Sequence, residues 1–148
     1  MTDVIIRELK ISDLKNGFLE SLDSLKTASN LSSEKSLKIF KNIEQNPFQI
    51  VFVAIKDSKV IGTATLILEQ KFIHDGKYVG HIEDVVINQN FQKSCIGSLL
   101  IKTILQRAES EGCYKTVLSC LETVSPFYTK LGFNSHLTGM RYDHSKNH

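Results

Sequence analysis

The chain has 148 residues, 41% of them hydrophobic and 23% charged, and its formal net charge is +2. At that size folding buries roughly 68–70% of the surface, so a single domain over residues 1–148 can hold a core without staples. A balance of 18 basic and 16 acidic side chains excludes a strong electrostatic footprint for nucleic acid. No apolar run approaches the roughly 20 residues of a membrane span, and the amino-terminal segment, with alternating charged and apolar residues, does not read as a signal peptide. Cys95, Cys113 and Cys120 are odd in number and form no CxxC pair. They read as free thiols of a reducing, cytoplasmic compartment.

Residues 4–9 (VIIREL) predict a first strand. Ser12 is placed to cap a helix that carries Leu14, Phe18, Leu22 and Leu25 at spacings of three and four. A second helix follows Ser32 or Ser33, with Leu37, Phe40 and Ile43 on one side, and Pro47 limits its far end. Lys35, Lys38 and Lys41 read as its solvated face. Residues 49–55 and 60–68 are β-branched runs joined by Asp57-Ser58, which predicts a hairpin. Residues 80–87 form a further strand, ending in the polar loop Asn88-Gln89-Asn90. Ile96, Leu99, Leu100, Ile104, Leu105 and Ala108 recur at helical spacing, and Gly112 supplies the stop. A short strand over 115–120 and a short helix through Pro126, Phe127, Tyr128 and Leu131, closed by Gly132, follow. The order β-α-α-β-β-β-α-β-α-β predicts an α/β (α+β) fold, a central mixed sheet with helices on its faces.

Chemistry enters at the loop between residues 87 and 96. A strand runs through a polar loop into a helix whose free N–H groups point back at it, an arrangement that attracts phosphate. Gly97 permits close backbone approach and Lys93 adds a positive charge. The run Gln92-Lys93-Ser94-Cys95-Ile96-Gly97 resembles the acetyl-CoA loop of the GCN5-related N-acetyltransferase (GNAT) superfamily, Gln/Arg-x-x-Gly-x-Gly/Ala, with Cys95 in place of the middle glycine. Glu83-Asp84-Val85-Val86-Ile87 resembles that family's signature strand, whose splayed backbone pairs with the pantetheine arm. Residues 126–133 (PFYTKLGF) resemble its late helix and following strand. Within the superfamily, Lys71-Phe72-Ile73-His74, residues 80–85 (GHIEDV) and Cys113-Tyr114-Lys115 are similar to the glucosamine 6-phosphate N-acetyltransferase family.

The resemblance implies the GNAT fold and acetyl transfer from acetyl-CoA to the 2-amino group of glucosamine 6-phosphate by direct attack, feeding amino-sugar nucleotide synthesis, with no metal. It implies Glu83 as base, with Asp84 second, and Tyr128 as the acid that meets the CoA thiolate. Val85, Val86 and Ile87 would pair with the cofactor, the amide near Val85 meeting the developing oxyanion. Gln92, Lys93, Ser94, Cys95, Ile96, Gly97 and Ser98 would hold the pyrophosphate; Cys95, at a helix N-terminus beside Lys93, reads either as a reactive thiol close to it or as a buried, inert cysteine. Lys26, Thr27, Lys71, Phe72, Ile73, His74, Tyr114, Lys115 and Arg141, with Glu83 and Asp84, would bind the sugar phosphate in a site shared across a homodimer. If strand alternation holds, Glu83 and Asp84 point to opposite faces, so both serve only where the strand is distorted. Two positions depart from the family pattern: Val124 stands where an asparagine for CoA is frequent, and Lys26 where a threonine is common. Two other readings stay open. One is a GNAT enzyme for another small amine or a peptide N-terminus; the other is a non-catalytic CoA-binding module.

Overall fold

Two β-branched runs too apolar to face water on either side, Gln49–Lys56 (β2) and Lys59–Gln70 (β3), form the centre of the sheet in the computed structural model, which describes residues 3–92 and 94–145. They turn at Asp57 and Ser58, both with positive φ (51° and 64°). That conformation matches the twist of a two-residue hairpin. Val4–Glu8 (β1) pairs antiparallel with β2, and Tyr78–Ile87 (β4) antiparallel with β3. Cys113–Leu118 (β5) lies parallel to β4, reached through the helix Ile96–Ser110. The sheet order is β1-β2-β3-β4-β5. The chain divides after Leu118 into two compact units.

Period-two alternation sends β2 side chains to two cores. Val51, Val53 and Ile55 join Leu14, Phe18, Phe40 and Val60 on the face that carries Phe18–Leu22 (α1) and Ser33–Glu44 (α2). Ala54 joins Ile61 and Ile96 on the other face, under Ile96–Ser110 (α3), which also buries Leu100, Ile101, Ile104 and Ala108. Helices on both faces of a mixed sheet are the architecture expected from the sequence. Ser32 caps α2 by accepting from the Lys35 N–H at 3.1 Å, and Lys35, Lys38 and Lys41 are exposed, also as expected.

Three expectations are corrected. The helix predicted from Ser12 to Leu25 is broken into a 3₁₀ turn over Ile11–Lys15 and the short α1, and Leu25 is exposed. The break is at Gly17, where φ is +97° and an added Cβ would lie 2.7 Å from the Val60 carbonyl oxygen. Ser12 is not the cap: Asp13 Oδ2 accepts from the Lys10 N–H at 2.8 Å. Gly17→Ala is therefore expected to cost about 1–3 kcal/mol of stability, read as a lowered urea midpoint; an unchanged midpoint would contradict this. Next, β5 is shifted two residues toward the amino terminus: it begins at Cys113, directly after Gly112 at φ +91° ends the turn, and it stops at Leu118 rather than Cys120.

The last correction concerns the second unit, which holds a short helix, Ser125–Lys130 (α4), followed by Gly132 at φ +100°. Beyond it residues 133–145 contain no strand, where one was predicted. Among its described residues the unit has no strand of its own to pair with, and an isolated strand gains no ladder hydrogen bonds. Leu137, Met140 and Tyr142 are exposed there.

Candidate active site

β4 is irregular where the chemistry was expected. Thr63 of β3 pairs with Val86 and Thr65 with Glu83, so the single residue Ala64 stands opposite both Asp84 and Val85. This is a β-bulge, and Asp84 adopts φ +53°, a region that Asp visits more readily than most residues. The condition for both to serve is met: strand alternation is interrupted between Glu83 and Val86, and both carboxylates are exposed. On the other edge, β5 pairs with β4 only as far as Ile82 opposite Leu118. Residues 83–87 thus have no strand partner on that edge among the described residues, leaving backbone donors and acceptors for an extended ligand. Val86 is buried, so its contribution there is main-chain only; Val85 and Ile87 are half-buried.

The loop after β4 is folded by its own polar groups. Asn88 Oδ1 accepts from the Asn90 N–H at 3.1 Å, and Gln92 Nε2 donates to the Ile87 carbonyl at 3.1 Å. Ser94 Oγ donates to the Phe91 carbonyl and accepts from the Ile96 N–H at 3.4 Å. The Gln92 and Ser94 side chains therefore shape the loop in this structure. Ile96 points into the core at 4% exposure, so only its backbone faces the loop. Cys95 is exposed at the start of α3, with Gly97 and Ser98 half-buried in its first turn. Lys93 lies outside the described residues.

A second group gathers at the opposite end of β4. Between β3 and β4 the loop turns through His74 and Asp75, both with positive φ (53° and 62°). The His74 ring stacks on Tyr114 of β5 with centroids 3.9 Å apart, and Lys115 Nζ lies 5.6 Å from the same Tyr114 ring centroid. Lys71 Nζ donates to Glu69 Oε2 at 2.9 Å, and Glu69 Oε1 is 2.9 Å from His81 Nε2. The hydrogen bonds from Lys71 and His81 hold the Glu69 carboxyl below its usual range, and Glu69 in turn raises Lys71. Lys71, His74, Tyr114 and Lys115 are thus brought together. Phe72 and Ile73 instead project into solvent, Phe72 fully. Lys26 and Thr27 are exposed in the turn after α1 and make no side-chain hydrogen bond or ion pair among the described residues.

In the second unit Tyr128 is 7% exposed, edge-on to Phe127 and Phe133 at 4.9 and 5.6 Å. Burial, and then the charge of Cys120, push its phenol up, so it stays a neutral donor at pH 7. Val124 is exposed, and Arg141 is paired with Asp143 at 2.7 Å. The sequence reading missed Glu69 and His81. Their signal was the hairpin itself: pairing back from the 71–77 loop sets residue 69 diagonally across from residue 81. A cleft of about 470 Å³ beside Glu8, Phe40 and Arg107 contains none of the candidates, and its Arg107 is already paired with Glu8 and Glu111.

The Acetyltransferase (GNAT) family profile matches residues 16–133. The chain belongs to that family. Its acetyl donor is acetyl-CoA, and the unpaired stretch of β4 beside the α3 N-terminus fits an extended thioester ending in phosphates. The chain is 36% identical over 147 residues to the glucosamine 6-phosphate N-acetyltransferase of Trypanosoma brucei brucei, covering 97% of this chain and 99% of that protein. It is 34% identical to a probable glucosamine 6-phosphate N-acetyltransferase of Drosophila melanogaster, covering 93% of this chain and 66% of that one. The crystal structure of glucosamine-6-phosphate N-acetyltransferase from Arabidopsis thaliana superposes with a TM-score of 0.92 at 28% identity, covering 97% of this chain and 99% of that one.

Proposed function

We propose that this GNAT chain transfers acetyl from acetyl-CoA to the 2-amino group of glucosamine 6-phosphate, residues 1–148 working as one N-acetyltransferase domain. The observation that carries it is the bulge at Asp84–Val85 beside the unpaired stretch of β4. The thioester arm pairs along residues 85–87, and the amide near Val85 receives the carbonyl oxygen as it becomes an oxyanion. The neutral amine adds to the thioester carbon to give a tetrahedral oxyanion, whose collapse re-forms the carbonyl and breaks the C–S bond. Glu83, assisted by Asp84, takes the proton the nitrogen loses, directly or through water. The family resemblance makes Tyr128 the candidate acid for the departing thiolate, and burial keeps its phenol protonated for that role. The first turn of α3, from Cys95 to Ser98 with Gln92, Lys93 and Ser94 before it, holds the pyrophosphate.

Lys71, His74, Tyr114 and Lys115 form the phosphate end of the acceptor site, and the family resemblance adds Lys26, Thr27 and Arg141 as candidate acceptor contacts. A homodimer is supported by Phe72 and Ile73, which lie exposed beside that group, and by the exposed Leu137, Met140 and Tyr142. Large apolar side chains left in water are where contacts with another chain form. Work in the cytoplasm is supported by free cysteines, and no helix among the described residues is long and apolar enough to cross a membrane. The test is release of free CoA from acetyl-CoA with glucosamine 6-phosphate, glucosamine, spermidine or a peptide as acceptor. Release with the phosphosugar far above the others supports the proposal. Preference for another amine, or CoA binding without release, overturns it.

A further inference from the structure

The register of β3 against β4 places a row of polar groups on one face of the sheet. Thr65 opposes Glu83, Ile67 opposes His81 and Glu69 opposes Val79, and residues two apart share a face. Glu83, His81 and Glu69 therefore stand in line, and Lys71 is tied to the end of the row through Glu69. It is the face of Val51 and Val53, which α1 and α2 cover. Along the row, however, Thr65, Ile67 and His81 are only half-buried, and Glu69 and Glu83 are exposed.

His81 sits in the middle of this row, about 7 Å along the strand from Glu83. Its Nε2 is engaged by Glu69 Oε1, while Nδ1 has no partner among the described residues. That bond sets the ring. The neutral imidazole keeps its proton on Nε2 toward the carboxylate and presents Nδ1 as an acceptor; the protonated ring presents Nδ1–H as a donor. A hydroxyl serves either form, because it both donates and accepts.

We propose that His81, oriented by Glu69, is a specificity-determining residue that binds a ring hydroxyl of the sugar acceptor. This rests on the reading of the acceptor as a hexosamine phosphate. With the amine at Glu83 and the phosphate near Lys71, the hydroxyls at C3 and C4 occupy the stretch between, where Nδ1 stands. Glu69 acts through His81 as a positioning residue.

The test pairs substrate and protein changes: kcat/KM for glucosamine 6-phosphate and for its 3-deoxy and 4-deoxy analogues, with wild type, His81→Ala and Glu69→Ala. Wild type is expected to lose about 3- to 10-fold on one of the two analogues, the worth of one hydrogen bond. His81→Ala loses a similar factor on the parent sugar and no longer discriminates against that analogue. Glu69→Ala shows the same loss of discrimination in part. A purely structural His81 would slow all three acceptors alike, and that result overturns the proposal, as does wild type accepting both analogues as well as the parent. If wild type does not acetylate glucosamine 6-phosphate at all, the acceptor reading has failed instead, and the two failures are told apart by this first measurement.

Discussion

Glu83→Gln combined with Asp84→Asn lowers kcat for acetyl transfer about 10²–10⁴-fold, the range lost with a general base, and leaves the unfolding midpoint where it was. Both side chains are exposed and neither makes a side-chain contact that the fold needs, so the effect is expected on the reaction alone. Asparagine at 84 keeps the bulge, since it tolerates the positive φ that Asp84 adopts. Singly, Glu83→Gln carries most of the loss if it is the base, and Asp84→Asn a smaller part. Steady-state CoA release and a urea melt on the same samples check both halves. Activity within a few-fold of wild type in the double variant would remove the carboxylates from the chemistry.

Arg7→Met is expected to cost about 3–5 kcal/mol, because it strands a buried carboxylate without its partner. Asp13 is 2% exposed and receives two guanidinium hydrogen bonds, at 2.7 and 2.9 Å, plus the Lys10 N–H. Burial alone would raise this carboxyl, but the Arg7 hydrogen bonds, the Lys10 amide and the neighbouring positive charge outweigh it and hold Asp13 below its ordinary value. A depressed folded value means the contribution is complete above the unfolded carboxylate's pKa of about 3.9 and is lost as pH falls through the folded value. Wild-type stability therefore declines below about pH 4, and part of that decline disappears in Asp13→Asn. Urea midpoints at pH 7 and pH 3 for the three proteins decide it; an Arg7→Met midpoint equal to wild type would contradict the assignment.

The elements that carry their own signal were legible in the sequence. The runs 49–55 and 60–68 could bury both faces only in a sheet interior, and the spacing from Ile96 to Ala108 had one helical solution. The broken first helix was not legible, because Gly17 takes its positive φ against the Val60 carbonyl, more than forty residues away. Apolar spacing alone ran through that glycine. The bulge was legible only as a condition: two adjacent carboxylates that both serve require it, but nothing in residues 83–87 announces where β3 slips. Glu69 and His81 were hidden for a related reason, since their meeting depends on a pairing register that the 71–77 loop sets. The Lys71, His74, Tyr114 and Lys115 group was chosen by resemblance, and the structure gathers it because β4 and β5 run parallel, bringing the start of each to the same end of the sheet.

The most direct measurement is a crystal structure with a non-hydrolysable acetyl-CoA analogue and glucosamine 6-phosphate bound together. The acyl oxygen is predicted about 2.7–3.1 Å from the main-chain amide at Val85, with the sugar nitrogen facing the acyl carbon and Glu83 beside it. An acyl group held away from residues 83–87, or a sugar whose nitrogen faces another element, would contradict the assignment of β4 as the reacting strand.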